Sequence, residues 1–267
     1  MDSYDQVAQL ILQMGSYAAT EQAHVVRTYK EDGTILTKTD TTINEKISSL
    51  LASLFPQANI ITEEALRAVN PSAPLTFILD PIDGTDSYSQ GLPGWAIALG
   101  ILDQKRQPIG AMVYAPRWGH NNSTGLFLRQ DPYKELLLND SVLTTNPDRP
   151  KIHAYAIASH IIKHCPIQRL DAKIRSFGSN ILHMISALSH PYIEGAVSYR
   201  CFAWDIAAAH ALLSGQGFVV EDEQGAPFTY TDELLVERKS IPGFVFSGTR
   251  VAVNSLQKQF SCPDHHH

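Results

Sequence analysis

The segment that most constrains this chain is Leu75-Thr-Phe-Ile-Leu-Asp80-Pro81-Ile82-Asp83-Gly84-Thr85. An apolar run of this length reads as a buried strand, and it ends on an acid. Pro81 has no amide hydrogen and a fixed φ, so ladder pairing is expected to stop there and the chain to turn. Asp80 and Asp83 can then point the same way. Gly84 lets backbone approach a ligand closely, and if a helix opens there its first amides face outward toward an anion. Carboxylates beside an anion site need cations between them. The same letters also suit an ordinary turn with Asp80 as a strand-end cap, because Asp and Gly dominate turns.

The rest of the chain bears on that choice. Upstream, Ile60-Ile61-Thr62-Glu63-Glu64 is a second apolar strand ending in acids, and downstream Trp204-Asp205 opens an Ala-rich helix. Asp205 by itself suits a helix cap as well as a ligand. If Glu63, Asp80, Asp83 and Asp205 converge, each pair at about 4 to 5 Å repels by roughly 3 to 4 kcal/mol at an effective dielectric of 20. All-oxygen donors without Cys or His favour hard cations, and Mg²⁺ keeps waters and shares phosphate oxygens. The pattern predicts a multi-Mg²⁺ phosphate site.

The 267 residues allow one large domain or two small ones sharing an interface. Hydrophobic content of 44% and charged content of 18% exclude disorder and coiled coil. With 21 basic against 27 acidic residues and a formal charge of -6, no basic surplus exists for a nucleic-acid backbone. No apolar run approaches the roughly 20 residues of a membrane span. The acidic Met-Asp-Ser-Tyr-Asp start lacks the positive charge of a secretory leader, so the cytoplasm is expected. Cys165, Cys201 and Cys262 are an odd number at wide spacing, which suits free thiols. Asn121 and Asn122 match a glycosylation pattern but read as a polar loop, and His265, His266 and His267 are left aside as native or a tag remnant.

A capping box at Ser3 and Gln6 precedes a first amphipathic helix through Val7, Leu10, Ile11, Met14 and Ala18. A second starts near Asp40 and stops at Pro56. Strands follow at 60–62, 75–80, 95–102, 110–115 and 126–128. The polar stretch 146–150 divides the chain into an N-terminal α+β domain, 1–148, and a C-terminal α/β domain, 149–267. The second half predicts strands at 152–158, 196–199, 218–220 and 244–246. Its helices are expected at 179–188, from Trp204 to a left-handed glycine cap at Gly215, and from about Val251.

Taken in order, Thr37-Lys-Thr-Asp40, Glu63-Glu64, Asp80-Pro-Ile-Asp-Gly-Thr85, Val113-Tyr-Ala-Pro116, Ser176-Phe-Gly-Ser179 and Trp204-Asp-Ile-Ala-Ala resemble the inositol monophosphatase superfamily from about residue 5 to 250. The resemblance implies a layered αβαβα sandwich, usually a homodimer, that hydrolyses small phosphomonoesters with Mg²⁺ and is often inhibited by Li⁺. It implies one Mg²⁺ on Glu63, Asp80 and the Ile82 carbonyl, a second on Asp80, Asp83 and Asp205, and a weaker third near Glu63. Asp40 and Thr85 would activate the attacking water with Glu63 assisting, and the Gly84 and Thr85 amides would hold the phosphate. Asp83 and Asp205 would also face the substrate, and Gly178, Ser179 and Asn180 could contact its hydroxyls, although Ser179 and Asn180 equally make a good helix cap.

There are departures. Thr62-Glu63-Glu64-Ala65 stands where the family usually writes Gly-Glu-Glu-Ser, and Val197-Ser198-Tyr199-Arg200 replaces the acid that inositol phosphatases place before Trp-Asp. Arg200 would favour a further anion over a bare polyol. That text, with His210-Ala211, is similar to the 3'(2'),5'-bisphosphate nucleotidase branch, whereas Asp86-Ser-Tyr-Ser is not. Inositol monophosphatase-like hydrolysis therefore stands first, bisphosphate hydrolysis second, and a catalytically silent phospho-ligand sensor third. His160 and His164 lack the glutamate of a zincin helix and read as surface residues. Gly215-Gln-Gly217 follows a helix and is a turn, not a dinucleotide loop. Cys201 reads as a buried structural thiol.

Overall fold

The computed structural model describes residues 2–30, 33–119, 125–161 and 170–260. Asn121, Asn122, His164, Cys165, Cys262 and His265 to His267 lie outside them. Five layers stack in the order helix, sheet, helix, sheet, helix, the expected αβαβα sandwich.

The outer helices α1 (Ser3–Glu21) and α2 (Lys38–Leu54) bracket the hairpin β1 (Thr28–Tyr29) and β2 (Ile35–Leu36). The first helix is capped by Asp2, whose amide donates to Asp5 at 3.2 Å, one residue earlier than the expected Ser3–Gln6 box. For α2 the cap is Thr37, and Pro56 follows its end as expected. A seven-stranded sheet comes next: β3 (Asn59–Thr62), β4 (Leu75–Asp83), β5 (Ala96–Asp103), β6 (Pro108–Ala115), β7 (Leu126–Gln130), β8 (Leu137–Leu138) and β9 (Ser141–Val142), paired in that order. Only β3 and β4 run parallel. The short α3 (Thr85–Ser89) follows β4 directly.

The second sheet has the order β11 (Lys173–Arg175), β10 (Ala154–Ile157), β12 (Gly195–Tyr199), β14 (Phe244–Gly248) and β13 (Val219–Asp222). It mixes parallel pairs around β10 with antiparallel pairs around β14. Between the sheets lie α4 (Asn180–Ser189) and α5 (Ala207–Gly215), while α6 (Asp232–Leu235) precedes β14 and α7 (Arg250–Phe260) covers the outer face.

Strand alternation distributes the core among these layers. Phe77, Leu79, Ile97, Leu99 and Met112 face α1 and α2, whereas their neighbours Ile78, Ala96, Ala98, Ala111 and Val113 face α4 and α5. Tyr155, Val197 and Phe246 turn away from that middle layer toward Val253 and Leu256 of α7. Small side chains on β5 and β6 meet Ala207, Ala208 and Ala211, which lets α5 lie close to the first sheet.

Two expectations in the second half are corrected. The helix assigned to Trp204 begins at Ala207, so Trp204 and Asp205 sit in the preceding turn. Gly215 is the last helical residue, and the left-handed glycine is Gly217 at φ 78°. Among the described residues no helix is long and apolar enough to cross a membrane.

Candidate active site

Residues three apart on a regular strand face opposite sides, so Asp80 and Asp83 should diverge. They do not, because β4 carries a bulge: Asp80 pairs with Ala98 and Asp83 with Ala96, three steps on one strand against two on the other. The extra residue restores the facing. Pro81 therefore does not end the strand, as its missing donor suggested; it occupies the bulge, where a ladder hydrogen bond is lost anyway. Gly84, at φ 90°, then caps α3, and a Cβ there would lie 2.7 Å from the Gly94 carbonyl. Gly178, at φ 88°, packs as closely, since its Cβ would fall 1.8 Å from Ser87 Oγ.

Asp205 arrives from the second sheet. Its Oδ2 accepts from the Phe202 amide at 2.6 Å, which orients the carboxylate back along the turn and excludes the helix-cap reading. Ligand oxygens of Asp80, Asp83 and Asp205 all lie within 4.8 Å of one another. Asp83 Oδ2 also accepts from Ser179 Oγ and from the Ile181 amide at 2.7 Å, so it closes the first turn of α4 across the sheet interface. Ser179 is the N-cap, its Oγ accepting from Leu182 at 3.0 Å.

Burial makes this trio expensive without a counter-charge. It drives the Asp80 carboxyl well above the usual range, with Glu63, Asp83 and Asp205 adding repulsion. It does the same to Asp205, with repulsion from the Asp83 carboxylate adding to the shift. Asp83 is pushed up to about 6 by burial, restrained by its Ser179 and Ile181 hydrogen bonds. Asp80 Oδ1 is buried without a hydrogen-bond partner. A buried carboxylate oxygen left without a donor is costly. With donors that are all oxygen, the arrangement fits a hard divalent cation such as Mg²⁺.

The structure does not bring every expected ligand into the trio. Glu63, just beyond β3, stands outside it, with Oε1 bound by Lys30 Nζ at 2.8 Å while the same ammonium reaches Glu64 at 2.7 Å. Burial works against the Lys30 charge, but the two glutamates more than offset it. The changed Thr62-Glu-Glu-Ala text has a physical account: Thr62 Oγ1 accepts from the Glu64 and Ala65 amides, both at 3.1 Å, and holds the turn. Lys30 and Arg238, which contacts the same turn, carried no signal in the sequence because their partners are distant along it.

Beside the trio lies the water-activating candidate pair. Asp40 is buried at the start of α2, with Oδ2 accepting from Thr37 Oγ1 and from the Thr37 amide at 3.0 Å. That leaves Oδ1 toward Thr85 Oγ1, 3.2 Å away, whose single proton can go either to Asp40 or to the Ile82 carbonyl at 2.8 Å. Burial raises Asp40 to about 6 against the pull of Thr37.

An open cavity of about 620 Å³ begins at Asp83 and Asp205 and extends between Phe177, His160, Tyr199 and Arg200. Arg200, at φ 50°, lies over the Tyr199 ring at 5.3 Å. Asn180 lines the cavity but is already engaged, donating to the Asp205 carbonyl and accepting from Ser198 Oγ, both at 2.9 Å. Its position favours the internal role over free contact with a ligand. His160 is exposed, as expected, and bonds the Tyr199 carbonyl at 3.1 Å. Cys201 is buried and its thiol is pushed far up, as suits an inert thiol.

The model of the inositol monophosphatase family matches residues 3–247. Inositol-1-monophosphatase ImpA of Mycolicibacterium smegmatis is 30% identical over 178 residues, 61% of this chain and 62% of that protein. Inositol-1-monophosphatase of Bacillus subtilis is 22% identical over 91% of this chain and 94% of its own length. Nus factor SuhB of Pasteurella multocida is 26% identical over 78% of this chain and 79% of its own. Among solved structures, the Thermotoga maritima IMPase superposes with a TM-score of 0.79 at 20% identity, over 98% of this chain and 97% of that one.

Proposed function

The chain belongs to the inositol monophosphatase family, and from that premise we propose that this phosphoric monoester hydrolase uses Mg²⁺ to cleave a small inositol monophosphate-like ester. The observation that carries the reading is the trio of Asp80 and Asp83, both buried, and the half-buried Asp205, with one Asp80 oxygen left without a partner. Those three would hold the cations together with the Ile82 carbonyl and, once released from Lys30, Glu63. Bound Mg²⁺ supplies a lowered water pKa and neutralises charge on the phosphoryl and leaving oxygens.

The chain's own groups do the rest. Thr37 fixes Asp40 so that Oδ1 meets Thr85. Thr85 Oγ1 takes a proton from the attacking water as it passes its own to Asp40, whose carboxyl sits near 6 and so accepts at neutral pH. The Gly84 and Thr85 amides orient the ester, and in-line attack needs no phosphoenzyme. The intact Asp40–Thr85 pair favours this over a silent phospho-ligand sensor. The homodimer that the family resemblance implies belongs to the same proposal, and light scattering tests it.

A second reading, bisphosphate hydrolysis, draws on the cavity wall. The segment Val197-Ser198-Tyr199-Arg200 offers no acid to bind polyol hydroxyls, and the Ser198 hydroxyl is committed to Asn180. Arg200 lines the cavity and offers a planar fork to an anion. A panel of inositol 1-phosphate, adenosine 3',5'-bisphosphate and fructose 1,6-bisphosphate decides between them. If Arg200 reads a second anion, Arg200→Ala raises KM for the bisphosphates by about 10- to 100-fold, the scale of a hydrogen bond to a charged group, and leaves the monophosphate nearly unchanged. Equal effects on all three would reject that role.

A further inference from the structure

The turn bearing Glu63 and the turn bearing Asp205 come from different halves of the chain, yet one side chain grips both. Arg238 sits between α6 and β14 in the left-handed region at φ 56°, which is unfavourable for a residue with a Cβ. Its guanidinium donates through Nη2 to the Glu63 carbonyl at 2.8 Å and through Nη1 to the Ala65 carbonyl at 2.5 Å. The same group lies 4.8 Å from the centre of the Trp204 ring. Trp204 precedes Asp205 and is itself stacked on Phe202, rings 4.8 Å apart and 6° from parallel. Phe202 in turn donates its amide to the Asp205 carboxylate.

We propose that Arg238 is a positioning residue that clamps the Glu63 turn onto the Trp204–Asp205 turn and thereby sets the span of the carboxylates that receive the cations. This rests on the cation reading of the site. The planar fork is what the role requires: two donors engage the carbonyls at positions 63 and 65 while the flat face stacks on the indole. Lysine keeps the charge but cannot do all three. Thr62 stabilises the Glu63 turn from inside and would preserve its local shape without Arg238, so the loss should fall on the distance between the turns.

The test is titration calorimetry of Mg²⁺ into EDTA-stripped, dialysed full-length protein, comparing wild type, Arg238→Ala and Arg238→Lys, with melting temperatures of the stripped proteins alongside. Both variants are expected to bind Mg²⁺ at least about ten-fold more weakly, as for other supporting groups behind metal ligands. Activity should return as Mg²⁺ is raised. A merely structural Arg238 would lower the melting temperature and leave Mg²⁺ affinity unchanged in the variants, which would overturn the proposal. Should Arg238→Ala not fold, Arg238→Lys decides by the same criterion. Absence of Mg²⁺ binding by the wild type would bring down the cation reading and this proposal with it, whereas normal wild-type binding with unaffected variants removes Arg238 alone.

Discussion

Asp83→Asn is expected to abolish phosphate release, by on the order of 1,000-fold or more, equivalent to about 4 kcal/mol of barrier, while the chain stays folded. The two consequences separate because Asp83 does two things. Its Oδ2 closes the start of α4 by accepting from Ser179 and Ile181, and an asparagine carbonyl can accept the same bonds. The charge that would help hold the cations disappears, and the amide group replaces repulsion of Asp80 and Asp205 with two donors. In EDTA at neutral pH the variant should therefore melt no lower than wild type. Phosphate release measured beside a thermal melt checks both halves, and retained turnover would remove Asp83 from the mechanism.

The second large effect is on stability without metal. A carboxyl whose pKa rises on folding binds its proton more tightly in the native chain than in the unfolded one. Its contribution is best below the unfolded pKa and is lost as pH rises through the folded value. For Asp40 and Asp83 that window runs from 3.8 to about 6. Each contributes a loss on the order of 3 kcal/mol; the still higher Asp80 and Asp205 carboxyls extend the loss further up the pH scale. Stripped protein should thus melt lower at pH 7.5 than at pH 5, and millimolar Mg²⁺ should restore stability at pH 7.5 by binding only the native state. Melting curves indifferent to both pH and Mg²⁺ would contradict the burial argument.

What the sequence revealed follows from how local each feature is. The apolar strand that leads into Asp80, the Thr37–Asp40 start of α2 and Ser179 at the start of α4 are set by neighbours a few residues away, and each appears where expected, although the strand runs on past Asp80 to Asp83. Pro81 misled because its missing donor is compatible with a bulge as well as a turn, and pairing with β5 decides between them. Trp204 misled because an Ala-rich run does not mark its own start; the helix begins only after Asp205 has turned back to Phe202. Arg238 contacts the Glu63 carbonyl across 175 residues, and Lys30 reaches Glu63 across 33. No periodicity or motif records such pairs. The two-residue strands β1, β2, β8 and β9 were likewise too short to leave a pattern.

The most direct measurement is an anomalous diffraction map from a crystal equilibrated with Mn²⁺ in place of Mg²⁺. The account predicts peaks within coordination distance of Asp80, Asp83 and Asp205, with Asp80 shared between them. A map with the three carboxylates gathered and no anomalous density among them would contradict it.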